Sequence, residues 1–294
     1  MHRQVLPVVI NCEGGTAAGL GDSLGDTIRN AFALTGQAID VKLVKAKDLD
    51  QAVTATRSPV IAVGGGDGTL ASAAARLAGE GRCLAVLPLG TRNHFARDIG
   101  LDGTLEQAAQ VAAHGRCDMV DVGYAGERLF LNNASLGLYA RMVEDRDRRH
   151  LPKWLATLPA ALRVVVWPRT RRLDLDIDGT RRRVKTPLLF IGNNLYSLEK
   201  GHIGQRATLQ DGQLSLFAVA QRGGPGLLLA AWRIMRGKVD RRADFAAIES
   251  AREVIAYRHG SHHIALDGEV IELEFPLTFR IAPGGLKVML PAIA

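Results

Sequence analysis

The sequence predicts an α/β domain with a mostly parallel sheet, followed by a β-rich domain built as an antiparallel sandwich. Three observations carry this. Before about residue 117, short apolar runs alternate with helical patterns, which implies βαβ units. After it, strand-like runs follow one another with few helices between, as in sandwiches and barrels. The chain is 294 residues long, more than one core usually holds.

The first strands are read at 5–10, 39–44, 60–63 and 84–87, with helices at about 17–33, 48–56 and 70–79. In the second half, runs at 120–123, 129–133, 173–178, 184–192, 214–220, 254–257, 262–266, 270–275 and 278–281 read as short strands. Asp178-Gly179 separates two of them and predicts a hairpin turn. A basic helical insert, 137–167, interrupts this half.

Ligands on parallel sheets bind at the carboxyl ends of the strands. Asn11, the glycine run 64–69 and the Gly90-Thr91 loop each follow such an end, so strand order alone brings them toward one crevice. Residues 60–70 read Val-Ile-Ala-Val-Gly-Gly-Gly-Asp-Gly-Thr-Leu. An apolar strand breaks into glycines and re-enters an Ala-rich helix, presenting backbone N–H groups to an anion. Gly64, Gly65, Gly66 and Gly68 are expected to let phosphate oxygens reach the backbone, with Thr69 closing the run. Asp67 would repel bare phosphate, which points to a divalent cation or a ribose hydroxyl between them. No P-loop lysine follows the glycines. Asn11 suits a phosphate or ribose, Gly14 and Gly15 allow close approach, Gly90 allows a turn, and Thr91 and Asn93 add uncharged donors.

Gly65-Gly66-Asp67-Gly68-Thr69 resembles the signature shared by diacylglycerol kinases, sphingosine kinases, NAD kinases and phosphofructokinases. Pro88-Leu89-Gly90-Thr91-Arg92-Asn93-His94-Phe95-Ala96 is similar to the Pro-x-Gly-Thr-x-Asn-Asp-Phe-Ala segment of the diacylglycerol kinase catalytic-domain family of bacterial lipid kinases. Asn11-Cys12-Glu13-Gly14-Gly15, Asp211-Gly212-Gln213-Leu214 and Asp267-Gly268-Glu269 match further family motifs in order. On these five motifs the chain is identified as a member of that family, related to sphingosine kinases. It departs at His94, where the family has Asp, at Cys12, where it has Pro, and at Lys45, where Thr is often found.

The resemblance implies an NAD kinase/phosphofructokinase-like first domain (1–119, joined by 284–294), a β-rich lipid-substrate domain (120–283) and an active site in the cleft between them. It implies ATP as co-substrate and Mg²⁺ as cofactor, with Asp67 organising nucleotide and metal. It makes Glu269 the general base, with Asp267 the alternative acid. It also implies a structural Mg²⁺ held by Asp211 and the carbonyls of Thr208 and Gln213. Read from residues alone, Asp211 serves equally as a turn residue, and Glu272 and Glu274 as solvated surface.

The net charge of +7 is concentrated. Residues 141–185 hold thirteen Lys/Arg and six Asp/Glu, 13 − 6 = +7, so the remainder balances. Such an excess suggests an anionic membrane surface, with Trp154, Leu155, Leu158, Leu162 and Trp167 as interfacial residues. Nucleic acid is not expected, because few aromatics interleave with the arginines. No apolar run reaches the ~18 residues of a membrane span, and the N-terminus is too short for a signal peptide. Cys12, Cys83 and Cys117 form no spaced pair and are expected as reduced thiols. The expected place is cytoplasmic, peripheral at the inner membrane surface.

The expected activity is transfer of the ATP γ-phosphate to a lipid hydroxyl, with diacylglycerol the default acceptor. Sphingoid bases, ceramide and other lipids stay open. So do an NAD kinase and a non-catalytic lipid- or nucleotide-binding relative.

Overall fold

The computed structural model describes residues 5–137, 171–199, 204–220 and 240–292, with isolated positions between 221 and 239. The chain divides into two compact units, Met1–Val122 with Pro283–Ala294, and Gly123–Ala282.

In the first unit, β1 (Leu6–Asn11), β2 (Ile39–Val44), β3 (Val60–Gly65) and β4 (Cys83–Pro88) form a parallel sheet in the order 2-1-3-4. The end of β14 (Glu269–Leu290) adds a parallel strand beside β4 through Lys287 and Val288. Central strands β1, β3 and β4 are buried almost throughout, whereas edge strand β2 alternates. That is the pattern of a sheet covered on both faces. Val8, Ile10, Ile28, Phe32, Ala62 and Leu87 form part of its core. Burying each larger apolar side chain stabilises by about 1.5–3 kcal/mol.

The helices are α1 (Gly15–Leu20), α2 (Leu24–Ala33), α3 (Leu49–Ala55), α4 (Asp67–Leu77), α5 (His94–Asp98) and α6 (Leu105–His114). The helix read at 17–33 is two, split by a 3₁₀ turn at Gly21–Ser23. Gly21 has φ +51°, which ends an α-helix. α4 begins at Asp67, three residues before the sequence reading. α6 is an added element, opened by a capping box of Thr104 and Gln107 worth about 1 kcal/mol.

The second unit is antiparallel. β5 (Arg116–Ala125) enters it and pairs with β6 (Arg128–Phe130). β7 (Asn133–Gly137), β10 (Leu188–Asn193), β11 (Leu214–Val219) and β12 (Phe245–Ala251) run in the order 12-11-10-7, then β13 (Glu253–Leu266) and β14. A hairpin of β8 (Arg171–Ile177) and β9 (Thr180–Thr186) turns at Asp178-Gly179 and lies against the first half of β13. Two short readings, 254–257 and 262–266, are one strand whose register shifts between Ala256 and Gly260. Phe130, Leu136, Ile191, Leu216, Val254 and Phe279 sit in its core.

Two expectations need restating here. Most of the basic insert, with Arg146, Arg148, Arg149, Trp154, Leu155, Leu158, Leu162 and Trp167, lies outside the described residues. In the β8–β9 hairpin, Arg183 pairs with Asp174 at 2.6 Å and Arg181 stands opposite Asp176, so these two arginines face acids of the same segment.

The expectation of reduced thiols is wrong for two of the three cysteines. Cys83 and Cys117 form a disulfide, and Cys12 is free. Spacing could not reveal the pair, because 34 residues separate two cysteines that the sheet brings together. The loop it closes contains the Gly90 turn, α5 and α6. Closing a loop of this length stabilises by about 3–4 kcal/mol on a chain-entropy account. Reduction with dithiothreitol is expected to lower the unfolding midpoint in denaturant, and a Cys83→Ser variant to show no such response. A count of three free thiols in the unfolded, unreduced chain would remove the cross-link.

Candidate active site

The sheet order 2-1-3-4 reverses direction at β1 and β3, and such a switch point opens a crevice at the strand carboxyl ends. Three loops leave there: 11–15 after β1, 65–69 after β3, and 88–93 after β4. They are knit together. Leu89 N–H donates to Gly65 O at 3.1 Å, and Thr16 N–H to Leu89 O at 2.9 Å. Asn11 Nδ2 donates to Thr69 Oγ1 at 2.9 Å, while its Oδ1 accepts Glu13 N–H at 3.1 Å.

Asp67 makes the decisive tie. Its carboxylate accepts the N–H groups of His94 at 3.2 Å and Phe95 at 3.0 Å. Those are the first two residues of α5, so Asp67 caps that helix from another loop. The cap of α4 itself is Gly66, with no side chain to offer. No side chain caps α4, and its N-terminus presents a positive helix end.

The glycines act differently from expectation. A Cβ on Gly90 would lie 2.4 Å from Gly66 Cα, and one on Gly15 2.5 Å from Leu89 O. Gly64 and Gly65 are likewise closed, by Ile10 and Thr69. Gly15 and Gly90 let the loops touch one another, Gly64 lets β3 pack on Ile10 of β1, and Gly65 leaves room for Thr69 of its own loop. Gly14 has nothing within 4 Å, and at Gly66 the nearest atom is 3.4 Å away, so the room for a ligand is at these two. Asn93, read as a donor, has φ +50° and spends its amide on Gly90: Oδ1 accepts Gly90 N–H at 2.9 Å and Nδ2 donates to Gly90 O at 3.0 Å. Thr91 and Arg92 are exposed at the tip.

His94 bonds Arg97 Nη2 through Nδ1 at 2.7 Å. A guanidinium only donates, so Nδ1 accepts. Burial lowers the His94 pKa, outweighing the pull of Asp67 in the opposite direction. A neutral ring with Nδ1 accepting carries its proton on Nε2 and offers a donor there.

In the second unit the Asp267-Gly268 dipeptide is the turn between β13 and β14, with φ +47° and +90° at its two positions and Leu266 opposite Glu269. These values suit Asp-Gly in a two-residue hairpin. Asp267 accepts N–H groups from Leu131 at 2.7 Å, Asn132 at 2.7 Å and Asn133 at 3.0 Å. Its own N–H donates to Asn133 O at 2.9 Å. Burial raises its pKa to about 6, against the amides and the charge of Arg206. Glu269 is exposed at the start of β14.

Asp211 is tied twice to the end of β10: Oδ2 accepts Leu195 N–H at 2.9 Å, and its N–H donates to Asn194 Oδ1 at 2.9 Å. Asn194 and Gly212 both have positive φ, +67° and +65°, so two sharp bends frame the carboxylate. Thr208 is exposed, its Oγ1 accepting Gln210 N–H at 3.2 Å. Among the described residues no cluster of three His, Cys, Asp or Glu side chains could hold a metal. A cation at Asp211 would depend on one carboxylate and backbone carbonyls, and such an all-oxygen set suits Mg²⁺.

Comparison with known proteins places this geometry. Residues 6–125 match the model of the diacylglycerol kinase catalytic domain. Residues 132–290 match the YegS C-terminal NAD kinase beta sandwich-like domain. The chain belongs to the diacylglycerol kinase catalytic-domain family. It is 38% identical over 102 residues to a "Probable lipid kinase YegS-like" of Yersinia pestis (strain Pestoides F) and to its counterpart in Yersinia pseudotuberculosis serotype O:1b. That segment is 33% of this chain and spans about a third, 34%, of each relative. A crystal structure of a diacylglycerol kinase from Bacillus anthracis str. Sterne superposes with TM-score 0.70 at 18% identity, covering 99% of this chain and 98% of that one. The crystal structure of a "putative diacylglycerol kinase" from the same organism gives TM-score 0.76 at 20% identity, covering 97% of this chain and 95% of that one. At such identities the structural likeness speaks for the fold alone.

Within the family fold, the loop residues Asn11, Gly14, Gly15, Gly64–Thr69, Gly90, Thr91 and Asn93 come together in the first unit. Asp211, Thr208, Gln213, Asp267 and Glu269 lie in the second. Sequence reading missed Arg206, Asn132, Asn193 and Tyr196, which build a buried polar corner beside Asp267. Its one signal was the doubled Asn-Asn at 132–133 and 193–194, each after an apolar run.

Two outcomes follow. Gly90→Ala is expected to lower nucleotide affinity at least tenfold and to destabilise the fold by forcing the loops apart, and Gly14→Ala to lower affinity by filling the ligand's room while leaving the unfolding midpoint unchanged, by titration with a fluorescent nucleotide and with urea. Parent-like affinity in Gly14→Ala would overturn the assignment of room to Gly14. The Asp267 carboxyl has a higher pKa folded than unfolded, so its stabilising contribution is full below about pH 4 and lost as pH rises through about 6. The stability difference between parent and Asp267→Asn is expected to fall over that window in urea titrations. A pH-independent difference would contradict it.

Proposed function

We propose that this protein is an ATP- and Mg²⁺-dependent lipid kinase that phosphorylates a lipid hydroxyl, with diacylglycerol the default acceptor. The observation that carries the reading is the Asp67 tie, which sets an uncapped α4 N-terminus beside the bent Gly90 loop at the switch point of the sheet. Phosphoryl transfer asks mainly for positioning, charge neutralisation and a proton acceptor. Amides of the α4 N-terminus supply the first two for a nucleoside polyphosphate, with Gly14 and Gly66 as the open approaches.

Glu269 is the proposed base. The lipid oxygen bonds the γ-phosphorus, the bond to the ADP oxygen breaks, and the hydroxyl proton passes to the Glu269 carboxylate. Asp267 is less suited, because three amides occupy its oxygens. Mg²⁺, when bound, neutralises phosphate charge. Asp211, with the carbonyls of Thr208 and Gln213, is the proposed structural holder of a second ion.

A lipid acceptor asks for association with a membrane surface. No helix among the described residues is long and apolar enough to cross a membrane, and the proposed association is peripheral. The proposed cytoplasmic placement no longer rests on the cysteines. The Arg171-Arg172 end of the β8–β9 hairpin is the described part of the proposed anionic-surface contact.

Labelled ATP transferred into a total lipid extract, with NAD as a parallel acceptor, tests the reading. Label in a lipid is expected. Label in NAD alone would make the protein an NAD kinase, and none in either a non-catalytic relative. Glu269→Gln is expected to lower kcat by about 10²–10⁴-fold with ATP affinity unchanged, and Glu272→Gln to do little. Parent turnover in Glu269→Gln would move the base elsewhere.

A further inference from the structure

Arg206 belongs to none of the motifs above, yet it is a buried cation with 7% of its surface exposed. Its Nη1 donates to Leu131 O at 2.8 Å and Asn193 O at 3.1 Å, and its Nη2 to Asn132 Oδ1 at 2.9 Å. The guanidinium carbon lies 5.4 Å from the centre of the Tyr196 ring, whose hydroxyl donates to Asn132 O at 3.0 Å. Asn193 closes the cluster, donating Nδ2 to Leu131 O at 2.9 Å and its N–H to Asn132 O at 2.9 Å.

Burying a charge is costly unless every donor is met, and an apolar side chain often fills the same volume at no loss of stability. A guanidinium kept here asks for a reason beyond packing. The acceptors it holds supply one. Leu131, Asn132 and Asn133 are the residues whose N–H groups grip Asp267. Asp267 returns a fourth bond to Asn133 O. Asp267 and Gly268 are the two turn residues of the hairpin, and the next residue is Glu269. The chain of contacts from the guanidinium to the start of β14 is continuous and lies within one compact unit.

We propose that Arg206 is a positioning residue for phosphoryl transfer: by clamping the Leu131–Asn133 corner it fixes the Asp267-Gly268 turn and so the direction in which Glu269 meets the acceptor hydroxyl. This rests on the lipid-kinase reading with Glu269 as base. Lysine cannot replace it, because three acceptors in a fork need a planar guanidinium.

The test is a double-mutant cycle in the full chain, with Arg206→Met, Glu269→Gln and the two combined. Each is assayed for kcat and KM on lipid vesicles and for ATP affinity. A misplaced catalytic group loses roughly up to 10²-fold in rate, so Arg206→Met is expected to lower kcat about ten- to a hundred-fold, with ATP affinity within about twofold. In the Glu269→Gln background the same change is expected to cost less than about twofold, since groups that act as a unit are not additive. Amide exchange at Leu131–Asn133 should quicken in Arg206→Met. Arg206→Lys should lose kcat in the same way.

Parent-like kcat in Arg206→Met, or losses that multiply across the cycle, would overturn the inference. Should Arg206→Met fail to fold, Asn132→Ala carries the cycle, because it removes the Nη2 acceptor and keeps the N–H to Asp267. An active parent with multiplying losses overturns this inference alone. A parent that transfers no phosphate to lipid overturns the lipid-kinase reading and this inference with it.

Discussion

A carboxylate that accepts N–H groups from a distant segment is the interaction on which the rest of this structure depends. Asp67 takes the amides of His94 and Phe95. Asp178 takes those of Arg252 and Glu253, Asp211 that of Leu195, and Asp267 those of Leu131, Asn132 and Asn133. All four are followed by glycine. At Gly179, Gly212 and Gly268 a positive φ bends the chain beside the carboxylate, whereas Gly68 lies in the first turn of α4. Charge-assisted bonds to amides are short and roughly twice as strong as neutral ones, so each tie replaces many weaker contacts in a loop.

This device explains why catalytic and structural roles are hard to separate here. Asp67 is proposed to organise nucleotide and cation, yet it also caps the start of α5. Asp267 lies two residues from the proposed base and holds the turn that presents it. A loop built this way is pre-organised before substrate arrives, which spares the ordering that would otherwise oppose binding. The glycines extend the same logic: Gly15 and Gly90 have no Cβ because backbone from another loop already fills that space.

The two units reach order by different means. The first is a parallel sheet of buried strands whose carboxyl ends carry the three glycine-containing loops. A disulfide between Cys83 and Cys117 closes the segment that carries the third of those loops, 88–93. The second is antiparallel, and its polar corner is internal. Arg206, Asn132, Asn193 and Tyr196 satisfy one another there, as buried polar groups must.

The sequence by itself determined the order of the four strands β1–β4 with helical segments between them, the position of the glycine loops after strand ends, and the family. Each of these follows from local patterns: apolar runs, glycine breaks and motifs a few residues long. Asp178-Gly179 was legible as a turn for the same reason, since Asp-Gly suits φ > 0 at both positions, whereas Asp267-Gly268 was read as part of a catalytic motif and its turn came from the structure. Only the tertiary structure decided what the motif residues touch. That Asn93 serves its own loop, that Gly90 packs on Gly66, that Cys83 meets Cys117 and that Arg206 grips Leu131 are contacts between segments far apart in the chain. Nothing in residue type or spacing encodes such a partner. The sheet register selects it.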